Sequence, residues 1–266
     1  MAYVLDVDLR KYFDTIDHAH LRDILRQRVG DGVIRRLIHK WLKAGVWEDG
    51  QIHHPDTGSP QGGVISPLLS NIYLHTVLDD WYVRDMKGKL HGKSFMVRYA
   101  DDFVMGFSLK RDALAMLAAI KERFAQYGLQ IHPEKTQLVG FKRPPKYELD
   151  SSLKASKPES FDFLGFTHYW GKSRKGNNVV QRKSASKRFR RTLKSIKEWG
   201  WAHRHESLRD QQEGLNRKLQ GHYSYYGICG NSRSLSQSHA SRSAEALASL
   251  ARPSQPQWTD ELEVLQ

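Results

Sequence analysis

Cysteine is nearly absent: Cys229 is the single one in 266 residues. An internal disulfide and a zinc site built on several thiolates are thereby excluded, and a reducing compartment suits the chain. Long apolar runs are lacking too. None approaches the roughly twenty residues that span a bilayer, and no signal-peptide pattern opens the chain, so a cytoplasmic location without membrane partners is expected. Acidic residues are outnumbered, and the formal net charge is +13. That excess is unevenly placed: Lys and Arg number 19 against 17 Asp and Glu over residues 1–141, but 20 against 8 over 142–220. Basic charge confined to one segment suits a module gripping a polyanion, although a solvated basic face gives the same count.

Against those absences stands one dense stretch, Met96 to Phe107. Apolar runs flank the adjacent acids Asp101 and Asp102, which reads as strand, tight turn, strand with the acids at the tip. Burying both carboxylates without a partner costs several kcal/mol, so they lie at a surface or bind a cation. Tyr3 to Leu9 alternates apolar and acidic residues, a strand with Asp6 and Asp8 on one face. Asp14 or Asp17 then caps a helix with Leu21, Ile24, Leu25 and Val29 on one side. A second amphipathic helix follows Gly32, with Val33, Leu37, Ile38, Trp41 and Leu42 inward.

Residues 45–58 read as a short hairpin or loop, with His53 and His54 at the surface. Gly58 to Pro67 is crowded with turn formers. Ser66 as N-cap and Pro67 in the first turn start a helix reaching about Trp81. A glycine-rich loop feeding a helix can approach a phosphate or base closely. Ser108 to Tyr127 reads as a helix with Leu114, Leu117, Ala118 and Phe124 on one face, stopped by Gly128. Strands at 129–131 and 136–141 complete an antiparallel sheet covered by helices on one side, an α+β class. Residues 142–160 are rich in Pro, Ser and Lys, the best domain boundary. A strand pair at 161–167 and a basic turn at 172–178 precede a basic amphipathic helix from Ala185 to Trp199. Further helix runs from Leu208 to Gly227, and residues 232–266 lose periodicity, so partial disorder is expected there. The domains expected are thus 1–142, a connecting region 143–184, helices over 185–231 and a degenerate tail over 232–266.

A nucleotidyl transferase needs two divalent ions roughly 4 Å apart, held by carboxylates converging from different elements. Here one strand offers Asp6 or Asp8 and the hairpin offers Asp101 and Asp102. Mg²⁺ favours such oxygen ligands.

Several motifs together resemble the group II intron reverse transcriptases. Asp8-Leu9-Arg10-Lys11-Tyr12-Phe13-Asp14 is similar to the first motif of their palm, Gly58 to Ser70 to the second and Tyr99 to Asp102 to the third. His132 to Lys135 resembles the fourth, and Phe163-Leu164-Gly165-Phe166 the primer-grip turn. Lys187 to Tyr226, with its Leu215-Asn216, Gly221 and Tyr225-Tyr226, resembles the thumb or maturase domain. Retron and diversity-generating enzymes share the palm, but this last signature favours the intron class. The resemblance implies a polymerase palm followed by a basic helical thumb, and Mg²⁺-dependent, RNA-templated DNA synthesis with two ions.

By the same resemblance, Asp8, Asp101 and Asp102 form the catalytic metal-binding triad, joined by the backbone carbonyl of Leu9. Phe13 would exclude a ribose 2′-hydroxyl. Pro60, Gln61 and Gly62 would line the nucleotide and templating base, and Lys135 would sit near the triphosphate. Phe163, Leu164 and Gly165 would grip the primer, and Lys187, Arg188, Arg190, Arg191 and Lys194 would contact nucleic acid. Expected partners are intron RNA, a DNA primer or target, and deoxynucleoside triphosphates. Two departures from the family pattern are the region called fingers, expected before the first motif, and a zinc endonuclease domain after the last. A truncated chain that only binds intron RNA or assists splicing is the rival reading.

Overall fold

The computed structural model describes residues 1–43, 46–48, 51–53, 58, 64–145, 159–232 and 235–236. Pro60, Gln61, Gly62 and His54, most of the expected linker, and nearly all of the tail lie outside them. The chain divides into two compact units, one of residues 1–164 and 170–179, the other of 165–169 and 180–266.

In the first unit, strand β1 (Tyr3–Val7) leads into a single turn of helix, α1 (Tyr12–Thr15). Helix α2 (His18–Arg28) follows, with Asp17 as its cap. The Asp17 carboxylate accepts from the amides of Ala19 and His20, and those bonds hold its pKa below the usual carboxylate range. Helix α3 (Gly32–Leu42) is capped in the same way by Asp31. Strands β2 (Val46–Glu48) and β3 (Gln51–His53) form a small hairpin. Helix α4 (Ser66–Leu74) begins with Ile65, not Ser66, at its cap, so Ser66 lies buried inside the first turn. Beyond Leu74 the helix winds on in π geometry over His75–Asp80 and Tyr82–Met86, farther than Trp81.

The hairpin β4 (Ser94–Tyr99) and β5 (Asp102–Phe107), helix α5 (Lys110–Gln126) and strand β6 (Gln137–Gly140) follow. The main sheet has the order β4-β5-β1-β6, every neighbour antiparallel. Odd-numbered residues of β1 and β5 face the helices: Leu5, Val7, Phe103, Met105 and Phe107 share one core with residues of α2 to α5. Phe103 meets Phe124 of α5 edge-on, with ring centroids 6.2 Å apart. The opposite face carries a smaller cluster of Val4, Val104, Val139, Phe141 and Phe161, and next to it the acids.

Two helix faces differ from their sequence patterns. On α3 only Ile38 and Leu42 are buried, while Val33, Leu37 and Trp41 are more than 40% exposed. One neighbouring helix, α2, covers a single i,i+4 stripe, and apolar periodicity does not say how wide the partner is. On α5 the buried stripe is Ala113, Met116, Ile120 and Phe124, with Leu114 half exposed. Alanines lie all round that helix, so its sequence distinguishes the faces weakly.

Strands β7 (Phe161–Phe163), β8 (Phe166–Lys172) and β9 (Asn178–Ser184) order as a second sheet, and the division between the units passes along β8 and β9. The turn between β7 and β8 places both Leu164 and Gly165 at positive φ, 49° and 78°, as a two-residue hairpin requires. In the second unit, α6 (Ser186–Ala202) packs on α7 (Leu208–Tyr226). The Trp199 ring of α6 rests on Gly214, where a Cβ would come within 2.5 Å of it. Only glycine admits that approach.

Candidate active site

The catalytic candidates lie where β1 and the β4–β5 hairpin end together. Tyr99 pairs with Asp102, leaving Ala100 and Asp101 as a two-residue turn. Ala100 has φ 54°, a left-handed conformation that costs about 1 kcal/mol without glycine. The turn is braced by one side chain that sequence reasoning passed over. Arg98 donates from Nε and Nη2, one edge of its guanidinium, to the two carboxylate oxygens of Asp79, at 2.8 and 2.5 Å. It also donates to the Asn71 side chain at 2.9 Å and to the Ala100 carbonyl at 2.8 Å. Arg98 thus ties the hairpin tip to α4 and its π extension. An arginine before Tyr-Ala-Asp-Asp was visible in the sequence, but its partners 19 and 27 residues away were not.

The register of β1 on β5 pairs Asp6 with Val104 and Val7 with Phe103. Continued by one residue, it brings Asp8 opposite Asp102. The backbone of Asp8 is pinned by its neighbours: its carbonyl accepts from His132 at 2.8 Å, and Arg10 donates to Gln130 at 2.8 Å. These bonds flank the bridge between Leu9 and Ile131 and leave the Leu9 carbonyl out of it. Lys135 lies in the turn that follows. Its Nζ is 3.4 Å from the Asp8 carboxylate, so the fourth motif meets the first directly.

Asp6 lies on the same face and accepts from the Gln137 amide at 3.3 Å. Burial, and then the charges of Asp102, Asp8 and Asp162, push its pKa up to about 6. The acids therefore share one negative field, which a divalent cation would relieve, and the donor set of carboxylates and a backbone carbonyl is the hard-oxygen chemistry of Mg²⁺. Among the described residues, however, no three His, Cys, Asp or Glu side chains gather closely enough to hold a metal. The elements converge, while the carboxylates themselves are not drawn into a cluster.

Phe13, half-buried on α1, lies 5.4 Å from the Tyr12 ring. Tyr12 is buried and donates to the Ser70 carbonyl at 2.5 Å, and its phenol is pushed far up by burial. Gly58, the first residue of the second motif, is fastened beside them: its amide donates to Ile16 at 2.8 Å, and its carbonyl meets the His18 ring. Its φ is 88°, and a Cβ there would lie 2.8 Å from the backbone of Phe13 and Asp14. Strain and overlap together predict that Gly58→Ala lowers stability by about 2 to 5 kcal/mol. A denaturant midpoint unchanged by that substitution would contradict the packing described.

Phe163, Leu164 and Gly165 form the β7–β8 turn described above. Lys187, Arg188, Arg190, Arg191 and Lys194 are all exposed on α6, opposite the half-buried Phe189 and Leu193 and the buried Ile196. Lys194 is 3.7 Å from Glu198.

A strand leading into Asp8 beside an acid-tipped hairpin, on an antiparallel sheet backed by helices, is the α+β arrangement of a polymerase palm. Residues 1–168 match the family of reverse transcriptases, RNA-dependent DNA polymerases, and the chain belongs to that family. It is 40% identical over 92 residues to the group II intron-encoded protein LtrA of Lactococcus lactis subsp. cremoris, covering 35% of this chain and 15% of that one. It is 34% identical over 145 residues to the protein YkfC of Escherichia coli K12, covering 45% and 37%. Among solved structures, the apo telomerase of Candida tropicalis shares the fold, with a TM-score of 0.52 at 13% identity, over 94% of this chain and 46% of that one. The match covers less than half the length of each of these proteins. No helix among the described residues is long and apolar enough to cross a membrane.

Proposed function

We propose that this chain carries the palm and thumb of a group II intron-encoded reverse transcriptase, which copies RNA into DNA from a primer in the bacterial cytoplasm. The observation that carries the reading is the convergence of Asp8 with the braced Asp101–Asp102 turn, in a chain of this family. The similarity to LtrA supports the intron class, with intron RNA as template and binding partner.

In the reaction the primer 3′-hydroxyl loses its proton to solvent, its oxygen bonds to the α-phosphorus of a deoxynucleotide, and the bond from that phosphorus to the bridging oxygen of the β-phosphate breaks. Two divalent ions, when bound, supply activation of the hydroxyl and neutralisation of the triphosphate. Asp8, Asp101, Asp102 and the Leu9 carbonyl would hold them. Lys135 stands beside Asp8 and would donate a proton to the departing pyrophosphate. Phe13 would exclude a 2′-hydroxyl, with Pro60, Gln61 and Gly62 against the base pair. Phe163, Leu164 and Gly165 would seat the primer end, and the basic face of α6, Lys194 included, would track the phosphates.

The second reading, RNA binding or splicing assistance without polymerisation, is favoured by one observation: the carboxylates are not gathered, and Asp8 is paired with Lys135. Primer extension on an RNA template, beside RNA binding by the same sample, separates the two. Extension that requires Mg²⁺ supports the first reading; tight RNA binding without extension supports the second.

If the turn must be held for the chemistry, Arg98→Gln should slow extension at saturating nucleotide by about ten- to a hundredfold, because the guanidinium's bonds to Asp79, Asn71 and the Ala100 carbonyl are lost. RNA affinity should stay within about twofold, and Arg98→Lys should not restore the rate, since an ammonium cannot reproduce the fork. A normal rate in Arg98→Gln would remove the brace from the mechanism.

A further inference from the structure

Away from the acids, α2 and α3 enclose an open cleft of about 330 Å³. Its floor is the aliphatic pair Leu25 and Ile38, and its rim is Arg22, Arg26, Arg35 and Arg36 with His39. Among the described residues, no acidic one lines it. One guanidinium is neutralised nearby, that of Arg26 by Asp23 at 3.0 Å, and Arg22 spends its Nε on the His18 carbonyl at 3.1 Å. Two polar atoms on the cleft residues are buried and, among the described residues, without a hydrogen-bond partner: Nε of Arg35 and Nδ1 of His39. A buried donor left unpaired is costly, so such atoms signal a partner. Burial, then the charges of Lys43, Arg22 and His18, hold the His39 pKa down, which reports the positive field there.

Guanidinium groups around an apolar floor suit a ligand with an anionic edge and a flat apolar face. The volume is that of a small ligand, too little for a duplex to enter. We infer that the α2–α3 cleft takes one nucleotide unit of a single-stranded nucleic acid, its phosphodiester on the arginine rim and its base over Leu25 and Ile38. This is a contact separate from the catalytic sheet end and from α6, and it rests on the reading of the chain as a nucleic-acid-binding protein.

The test follows binding of a fluorescein-labelled single-stranded RNA 12-mer to the full chain by anisotropy, between about 50 and 300 mM salt. Arg35→Gln with Arg36→Gln should weaken binding about tenfold at low salt and flatten the slope of log affinity against log salt by about 0.7, the value for the one phosphate the cleft takes. The Lys pair should keep the slope. Should the Gln pair not fold, Arg36→Gln alone, at an exposed position, is expected to flatten it in the same direction, by no more than that amount. Wild-type affinity and slope in a folded Gln variant would overturn the inference while leaving the proposed function standing. Failure of the wild-type chain to bind the 12-mer at all would overturn both. An equal loss on a blunt RNA duplex would overturn the single-strand assignment. Displacement of the 12-mer by inorganic pyrophosphate from the wild type but not from Arg36→Gln would assign the cleft to free phosphate and overturn it too.

Discussion

Asp101→Asn is expected to slow primer extension by at least about a thousandfold while leaving RNA affinity within about twofold. The size follows from the chemistry. A carboxylate that holds a divalent ion contributes several kcal/mol to the transition state, and each 1.36 kcal/mol is tenfold in rate. An amide keeps the shape of the turn, so Arg98 can still bond the Ala100 carbonyl and the backbone need not move. Asp8→Asn should do the same, with an added loss of the Lys135 ion pair. Asp6→Asn is the internal control: it lies on the same face, yet its partner is Gln137, which an amide oxygen can still accept from. Its rate should fall by no more than a few fold. Extension at the wild-type rate in Asp101→Asn would take that residue out of the chemistry, and an equal collapse in Asp6→Asn would mean that crowding of charge, not metal binding, sets the rate.

Much of this site was legible because its signals are local. Alternation in Tyr3 to Leu9 and the apolar flanks of Asp101–Asp102 specify two strands, and helices flanking them place the sheet in an α+β fold. Asp14 or Asp17 before an apolar helical stripe announces a cap, and the structure gives that place to Asp17. What escaped reading is set by contacts between distant residues. The Arg98–Asp79–Asn71 brace joins elements that no period connects. Lys135 against Asp8 depends on the 130–132 segment crossing beside residues 8–10. Strand β9 carries little signal of its own, because five of the seven residues from Asn178 to Ser184 are polar and the extended form comes from pairing with β8. The exposed flank of α3 erred the other way: its apolar pattern is strong, but only tertiary contact decides which part of such a stripe is covered.

The basic helix offers the complementary experiment. Lys187, Arg188, Arg190 and Arg191 are exposed on the first two turns of α6, and none has an acid partner within ion-pairing distance among the described residues, whereas Lys194 is already engaged with Glu198. Replacing these four by Gln should flatten the salt slope of RNA affinity by about 3, at 0.7 to 0.9 per phosphate contact. Counterion release makes the loss depend on salt: at about 0.15 M it amounts to two or three orders of magnitude, while near 1 M the wild-type and variant lines should meet. The helix itself should survive, because Phe189, Leu193, Ile196 and Trp199 carry its packing and Gln is a good helix former. Extension by the variant should recover when RNA and primer are raised to saturation, since the acids at the end of β1 are untouched. The Asp101 variant should show the opposite pattern, binding without extension. Parallel salt lines for the wild type and the four-Gln variant would mean that this face of α6 meets only solvent, and that the excess of positive charge in residues 142–220 serves some other contact.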